Sequence, residues 1–173
     1  MIIKSDLVFL IGFMASGKST IGKKMAKELG YNFTDADNYI EQRTGKSIPE
    51  IFEKEGERGF RKLETQSLKE IIARGEKQVI STGGGMPCNQ YRLNRMLKSG
   101  TVIYLEIDTK SVIHRLKNAK VQRPLLAGLS EIELERKIET LLIKRRRYYE
   151  QAHHTISSLE AKKVEFVSNK IDK

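Results

Sequence analysis

Short apolar runs alternate with longer amphipathic stretches along this chain. Leu7-Val8-Phe9-Leu10-Ile11 is continuously apolar, the length and composition of a strand buried on both faces of a parallel sheet. Ser19 to Leu29 has helical spacing and ends at Gly30, a residue type that closes helices in a left-handed turn. Asn32-Phe33-Thr34 predicts a short second strand that delivers Asp35 and Asp37 at its C-terminal end. A helix-rich stretch follows, with breaks near Gly45 and Gly56, running through Phe60-Arg61-Lys62-Leu63 to Ile71-Ile72-Ala73, where Gly75 closes it. Gln78-Val79-Ile80-Ser81-Thr82 is a third strand that empties into Gly83-Gly84-Gly85. Asn89 is placed to cap a helix reaching Lys98, and Thr101 to Leu105 is a fourth strand. Residues 118–129 have weak periodicity. Ser130 and Glu133 have the spacing of a capping box that opens a long helix to Tyr148 and Tyr149, and Thr155-Ile156 is a last short strand. Ser157 and Glu160 repeat that spacing and predict a C-terminal helix with Val164, Val167 and Ile171 on one side.

Alternating β and α units of this length predict a three-layer α/β/α fold, with a central parallel sheet of about five strands covered by helices on both faces. Neither linker nor repeat interrupts the order, so the 173 residues are expected to form one domain. Ligands in such folds sit beyond the C-terminal ends of strands. Three loops leaving strands there carry chemistry, at 12–19, 35–37 and 83–85.

The strongest of them is Gly12-Phe13-Met14-Ala15-Ser16-Gly17-Lys18-Ser19, a full match to the phosphate-binding loop G-x-x-x-x-G-K-[ST] in a strand–loop–helix context. Its glycines let successive N–H groups wrap a polyphosphate, Lys18 brings a charge to the β- and γ-phosphates, and the Ser19 hydroxyl suits Mg²⁺. Gly12, Ala15, Ser16, Gly17, Lys18, Ser19 and Thr20 are therefore the expected ATP contacts, and the helix N-terminus behind them adds partial positive charge. A net charge of +10 suits anionic ligands, and would equally suit nucleic acid. Cys88 is the only cysteine, which excludes an intrachain disulfide and points to a reducing compartment. The apolar run at 7–11 is too short to span a bilayer and feeds straight into the phosphate loop, so it does not read as a removable signal.

The other candidate residues each have a bland reading beside the functional one. Asp35 and Asp37 are two apart, and if the chain stays extended they point to the same side; alternatively one simply caps the next helix. Arg61 offers a planar fork that matches a carboxylate, yet it also has helical spacing to Glu57 and Glu64 for an ion pair, and Glu64 holding Arg61 in position satisfies both readings. Gly83-Gly84-Gly85 lets a substrate ring press against backbone N–H groups, the alternative being a flexible hairpin turn. His153-His154 are adjacent rather than four apart and do not read as a zinc site, and nothing beside Cys88 marks it as a nucleophile. The basic run Lys144-Arg145-Arg146-Arg147 lies in a predicted amphipathic helix with no aromatic RNA-reading motif nearby.

Taken in order and spacing, these segments resemble the shikimate kinases, small P-loop NTPases of the nucleoside-monophosphate-kinase-like group. The likeness runs through the phosphate loop, Phe33-Thr34-Asp35-Ala36-Asp37, Gly56-Glu57-Arg58-Gly59-Phe60-Arg61, Ser81-Thr82-Gly83-Gly84-Gly85, Arg123-Pro124-Leu125-Leu126 and the arginine run before Tyr148-Tyr149-Glu150. The resemblance implies ATP-dependent phosphorylation of the 3-hydroxyl of shikimate, on the route to chorismate and aromatic amino acids. It assigns Asp35, with Ser19, to the Mg²⁺ region and Asp37 to hydroxyls of the substrate ring. Arg61 and Gly83, Gly84 and Gly85 become substrate contacts, and residues 36–73 the substrate-binding helical insert. Arg123 falls in a mobile lid at about 118–129 that brings charge to the transferring phosphoryl group, the bland reading being a solvated loop arginine. Arg115 matches an adenine-stacking arginine. The family also places an arginine a few residues before a tyrosine, commonly with a proline between them, and that proline is absent here. Counting from Tyr149 selects Arg145, counting from Tyr148 selects Lys144, and the fork favours Arg145. Lys18, Asp37 and Arg123 are thus the expected catalytic residues of a cytoplasmic monomer acting on ATP and shikimate, without nucleic-acid or membrane partners. A gluconate or nucleoside-monophosphate kinase would share the first loop but not the rest of the constellation, and a nucleic-acid-stimulated ATPase is the alternative of another class.

Overall fold

A computed structural model describes residues 1–3, 5–117 and 130–168. In chain order the elements are β1 (Ile2–Ile3), β2 (Leu7–Ile11), α1 (Lys18–Leu29), β3 (Asn32–Asp35), α2 (Ala36–Thr44), α3 (Ile48–Ala73), β4 (Gln78–Ser81), α4 (Gln90–Ser99), β5 (Thr101–Glu106), α5 (Thr109–Lys117), α6 (Glu131–Tyr149), β6 (His154–Ser157) and β7 (Val167–Ser168). Five strands form one sheet in the order β3-β4-β2-β5-β6, every pairing parallel. The expected β/α alternation and sheet are therefore present, and β2, the most apolar strand, lies at the centre.

Alternation along β2 divides the interior in two. Leu7, Phe9 and Ile11 pack into a core with Ile40, Ile51, Phe60, Leu68, Leu93, Val112 and Ile138, contributed by α2 to α6. Val8 and Leu10 face the other way, onto Ile21, Met25 and Leu29 of α1 and onto Ala161 and Phe166 near the C-terminus. Successive strand side chains point to opposite faces, so a fully apolar β2 requires cover on both. Helix ends follow local rules: Gly30 and Gly45 close α1 and α2 in the left-handed region, and Ser47 with Glu50 forms a capping box that opens α3. Gly56, at φ 65°, breaks helical geometry inside α3 without ending it.

The structure departs from the sequence reading, or completes it, at three places. Among the described residues no helix follows Ser157. Residues 158–163 form turns and β7 pairs in parallel with β1, a two-residue strand that sequence patterning does not reveal. The cause is tertiary: Phe166 is buried under α1, its N–H donates to Glu28 (3.1 Å), and Lys24 donates to the carbonyls of Lys162 (2.8 Å) and Val164 (2.7 Å). Side chains of α1 thus satisfy the backbone that a helix would have satisfied internally. Second, α5 occupies a stretch for which patterning predicts no element; Asp108 starts it, accepting from the Ser111 amide at 2.8 Å and the Ser111 hydroxyl at 2.6 Å. Third, the chain does not stay extended from Asp35 to Asp37, because α2 begins at Ala36. The expected lid with Arg123, and Ile171, lie outside the described residues.

Candidate active site

Strand register brings the three chemical loops to one edge. Asp35 pairs with Ser81, and Ser81 with Leu10, so β3, β4 and β2 end together and their loops open on the same side. In the first loop Gly12 has φ 142°, and a Cβ there would come within 2.6 Å of the Leu105 carbonyl oxygen. That close approach seats the loop against β5, as only glycine allows. Gly17 and Ala15 also have positive φ, at 92° and 60°, which curls the loop ahead of α1. Lys18 is buried and donates to the Phe13 carbonyl at 2.7 Å. From α5, Arg115 donates to the Ala15 carbonyl at 2.9 Å, which sets this expected nucleotide residue against the loop.

Asp35 carries out its bland role and faces the loop as well. Its Oδ1 accepts from the amides of Asp37 (3.1 Å) and Asn38 (3.4 Å) as the cap of α2, while Oδ2 accepts from the Ser19 hydroxyl at 2.6 Å. Ser81 Oγ lies 3.2 Å from Ser19 Oγ, at the strand end where an acidic residue is common in such folds. A hydroxyl and a carboxylate, both hard oxygen donors beside the loop, fit Mg²⁺, which takes few protein ligands and completes its shell with phosphate oxygens and water. Among the described residues no group of three or more His, Cys, Asp or Glu could form a dedicated metal cage.

Asp37, in the first turn of α2, occupies the junction of two cavities. One, of about 220 Å³, is bounded by the phosphate loop from Met14 to Thr20, by Asp35 and by Ser81 to Gly84. The other is lined by Ile48, Phe52, Phe60, Arg61, Glu64, Gly85 and Arg145. The two share Met14, Asp37, Gly83 and Gly84.

In the second cavity the guanidinium of Arg61 meets two carboxylates. Nη1 donates to Glu64 at 2.8 Å, and Nη2 and Nε donate to Glu57 at 2.9 and 3.3 Å. Glu64 is fully buried, and burial pushes its carboxyl above the ordinary range against the pull of Arg61 and Arg92. Arg92, which patterning did not single out, extends from α4 to within 3.5 Å of Glu64 and donates to the Met86 carbonyl at 2.6 Å, tying α3 to the end of the glycine turn. The turn owes its composition to these neighbours. A Cβ at Gly83 would lie 2.6 Å from Asp37 Oδ1, and one at Gly85 2.5 Å from Arg61 Nη1.

Of the basic run on α6, only Arg145 turns inward. It is buried, with its guanidinium carbon 5.4 Å from the centre of the Phe13 ring, whereas Lys144, Arg146 and Arg147 are exposed. Successive helix residues diverge by about 100°, so one position of such a run is chosen by packing. Tyr149, one turn further on, donates to the Gly84 carbonyl at 2.6 Å, a contact no local pattern signals. The residues set aside earlier have structural partners: His153 Nδ1 accepts from the Val102 amide at 3.0 Å, and burial pushes the Cys88 thiol up. A larger groove of about 590 Å³, lined by Lys23, Phe33, Asp35, Tyr39, Arg43 and Arg74, opens beside edge strand β3 and meets the candidate site only at Asp35.

A family profile described as shikimate kinase matches residues 14–173. A relative from Phocaeicola vulgatus, named shikimate kinase, is 39% identical over 165 residues, covering 95% of this chain and 94% of its own. Among solved structures, the shikimate kinase of Bacteroides thetaiotaomicron superposes with a TM-score of 0.83 at 40% identity, over 88% of this chain and 86% of that one. The shikimate kinase of Acinetobacter baumannii, solved in complex with shikimate, superposes with a TM-score of 0.78 at 39% identity, over 91% and 89% of the two chains.

Proposed function

The chain belongs to the shikimate kinase family, and on that premise we propose which of its residues carry phosphoryl transfer from ATP to the 3-hydroxyl of shikimate. The enzyme is an ATP-dependent kinase of shikimate by family. In our reading the loop from Gly12 to Thr20 holds the triphosphate, with Arg115 on the nucleotide side. Arg61 and Arg145 grip the substrate carboxylate, and Gly83, Gly84 and Gly85 bed the ring. Asp37 orients the acceptor hydroxyl and can accept its proton as the oxygen attacks the γ-phosphorus and the bond to the β-phosphate oxygen breaks. Lys18 then stabilises the charge that moves onto the bridging and equatorial oxygens, and on the family pattern Arg123 adds a second positive charge. Ser19 and Asp35 are the proposed protein ligands of Mg²⁺, which neutralises phosphate charge when bound. Such catalysis is mostly positioning and electrostatics. A cytoplasmic monomer is part of the same proposal, supported by a single cysteine and by anionic substrates that account for the positive charge.

The observation that carries this reading is the junction at Asp37. A phosphate cavity and a cavity lined by two arginines share that one carboxylate, which is what in-line transfer to a carboxylate-bearing alcohol requires. The test is ADP release measured with shikimate, gluconate, AMP and single-stranded RNA as separate additions, with the product's phosphorus placed by NMR. Release with shikimate alone and phosphorus on the 3-oxygen are expected; release stimulated by RNA, or phosphorus on another oxygen, overturns the assignment. Lys18→Ala should lower kcat by at least ~10²-fold at unchanged melting temperature, since it removes a charge aimed at the transferring group.

A further inference from the structure

Three successive glycines are a poor way to hold a substrate unless something outside the turn fixes them. Glycine has wide φ/ψ freedom, so a Gly-Gly-Gly segment presents its amides in many directions. The flanks are tied locally, Met86 N–H to the Gly83 carbonyl and Cys88 N–H to the Gly85 carbonyl, each at 3.1 Å. The middle carbonyl, Gly84, is held differently: the Tyr149 hydroxyl donates to it at 2.6 Å from α6, with the Cys88 thiol 3.5 Å away on the same oxygen. Tyr149 is fully buried, its ring stacked on Tyr104 of β5 with centroids 5.1 Å apart. Burial also pushes its phenol well above the ordinary value, so it remains a donor throughout the working pH range.

We propose that the Tyr149 hydroxyl is a positioning group for shikimate, fixing the Gly84–Gly85 peptide so that the amides of the turn are presented to the substrate. A peptide unit is planar and trans, so its C=O and N–H point in opposite directions. Holding the Gly84 oxygen toward α6 therefore directs the Gly85 N–H away from α6. Among the described residues the amides of Gly84 and Gly85 donate to no protein acceptor, which leaves them available to a ligand. Arg145 lies four residues before Tyr149 on the same helix, hence on the same face. One face of α6 thus sets the buried arginine and the glycine turn in a common register.

The inference rests on the reading that this turn contacts shikimate, and the test separates the two. In the wild-type enzyme, labelled Gly84 and Gly85 amide resonances should shift on adding shikimate; if they do not, the turn is no substrate contact and the proposal falls with that reading. Where they do shift, Tyr149→Phe, which keeps the ring and its stack, should raise the KM for shikimate ~5–10-fold. The KM for ATP should stay within about twofold and kcat within about threefold, and the Gly85 resonance should broaden. Tyr104→Leu removes the stack but not the hydroxyl, and should lower the melting temperature while leaving the KM for shikimate within about twofold. A Tyr149→Phe enzyme with wild-type shikimate KM overturns the proposal. So does a Tyr104→Leu enzyme whose shikimate KM rises as far, because ring packing rather than the hydroxyl would then set the turn.

Discussion

Arg61 is anchored by a buried acid and shielded by an exposed one: Glu64, with 1% of its side chain accessible, accepts from Nη1 at 2.8 Å, and Glu57, 60% accessible, accepts from Nη2 at 2.9 Å. The two contacts differ in kind. Removing Glu64 would leave Arg61 and the buried Arg92 without the carboxyl group they share, whereas Glu57 is an i,i+4 partner on a solvated face, worth ~0.2–0.5 kcal/mol. An incoming carboxylate can therefore displace Glu57 from the fork while Glu64 keeps the fork in place.

Arg61→Lys tests that division of labour. Lysine keeps the charge and roughly the length but loses the planar pair of donors. The KM for shikimate should rise ~10-fold or more, from a loss of roughly 1.5–3 kcal/mol, with ATP affinity unchanged. Calorimetry with each ligand separately is the check; undiminished shikimate binding would remove Arg61 from the substrate site.

Two glutamates on α3 should move stability with pH in opposite directions. Burial raises the Glu64 pKa above 4.5, so the folded state holds its proton more tightly than the unfolded chain. The associated stability is fully present below 4.5 and is lost as pH rises through the higher folded value. Glu50 is the reverse: bonds from the Ser47 side chain and amide lower its pKa below 4.5, so its contribution is present above 4.5 and lost as pH falls through the folded value. Urea unfolding of the wild type against Glu64→Gln and Glu50→Gln, across this acid range, should give a difference that shrinks with rising pH for the first and grows for the second. Slopes of the same sign would contradict the assigned environments.

Asp35→Asn should separate capping from metal binding. Asparagine caps a helix about as well as aspartate, so α2 and the melting temperature should be little changed. The charge beside Ser19 is lost, however, and the Mg²⁺ concentration for half-maximal rate at fixed ATP should rise by about tenfold. An unchanged Mg²⁺ requirement would take Asp35 out of the metal region and leave it as a cap.

What the sequence made legible was whatever is encoded locally. The phosphate loop, the helix closure at Gly30, the break near Gly45 and the capping box at Ser130 depend on neighbours within a few residues, and the alternation of apolar runs with helical stretches is enough to anticipate the parallel sheet. The same locality misled at Ser157 and Glu160, where the capping-box spacing is present but Phe166 and the side chains of α1 hold the backbone in turns. Within the candidate site, Arg92 reaching Glu64 and Tyr149 reaching Gly84 join residues 28 and 65 positions apart, as 92 − 64 and 149 − 84, and no periodicity encodes such contacts. The arginine run was ambiguous for a related reason: which of its positions faces the cavity depends on how α6 packs on Phe13, not on the run itself.

Alanine in place of Gly85 should separate the fold of the turn from its use. Gly85 is not among the positive-φ glycines, so alanine needs no unusual backbone there. The new Cβ would instead stand 2.5 Å from Arg61 Nη1, 2.8 Å from Nη2 and 2.9 Å from Cζ. These atoms end a flexible side chain, so the guanidinium moves rather than the chain unfolding, and the melting temperature should fall by no more than ~4 °C. Displacing the fork should nonetheless raise the KM for shikimate by about tenfold with little effect on the KM for ATP. Gly83→Ala makes the complementary perturbation, because its Cβ would press on Asp37 Oδ1 from 2.6 Å. There the loss should fall mainly on kcat, since Asp37 is assigned to the reacting hydroxyl. Steady-state kinetics of both variants against each substrate decide the matter. If Gly85→Ala binds shikimate normally, the fork of Arg61 can be moved without cost and does not hold the carboxylate; if both variants lose only stability, the glycines serve packing alone.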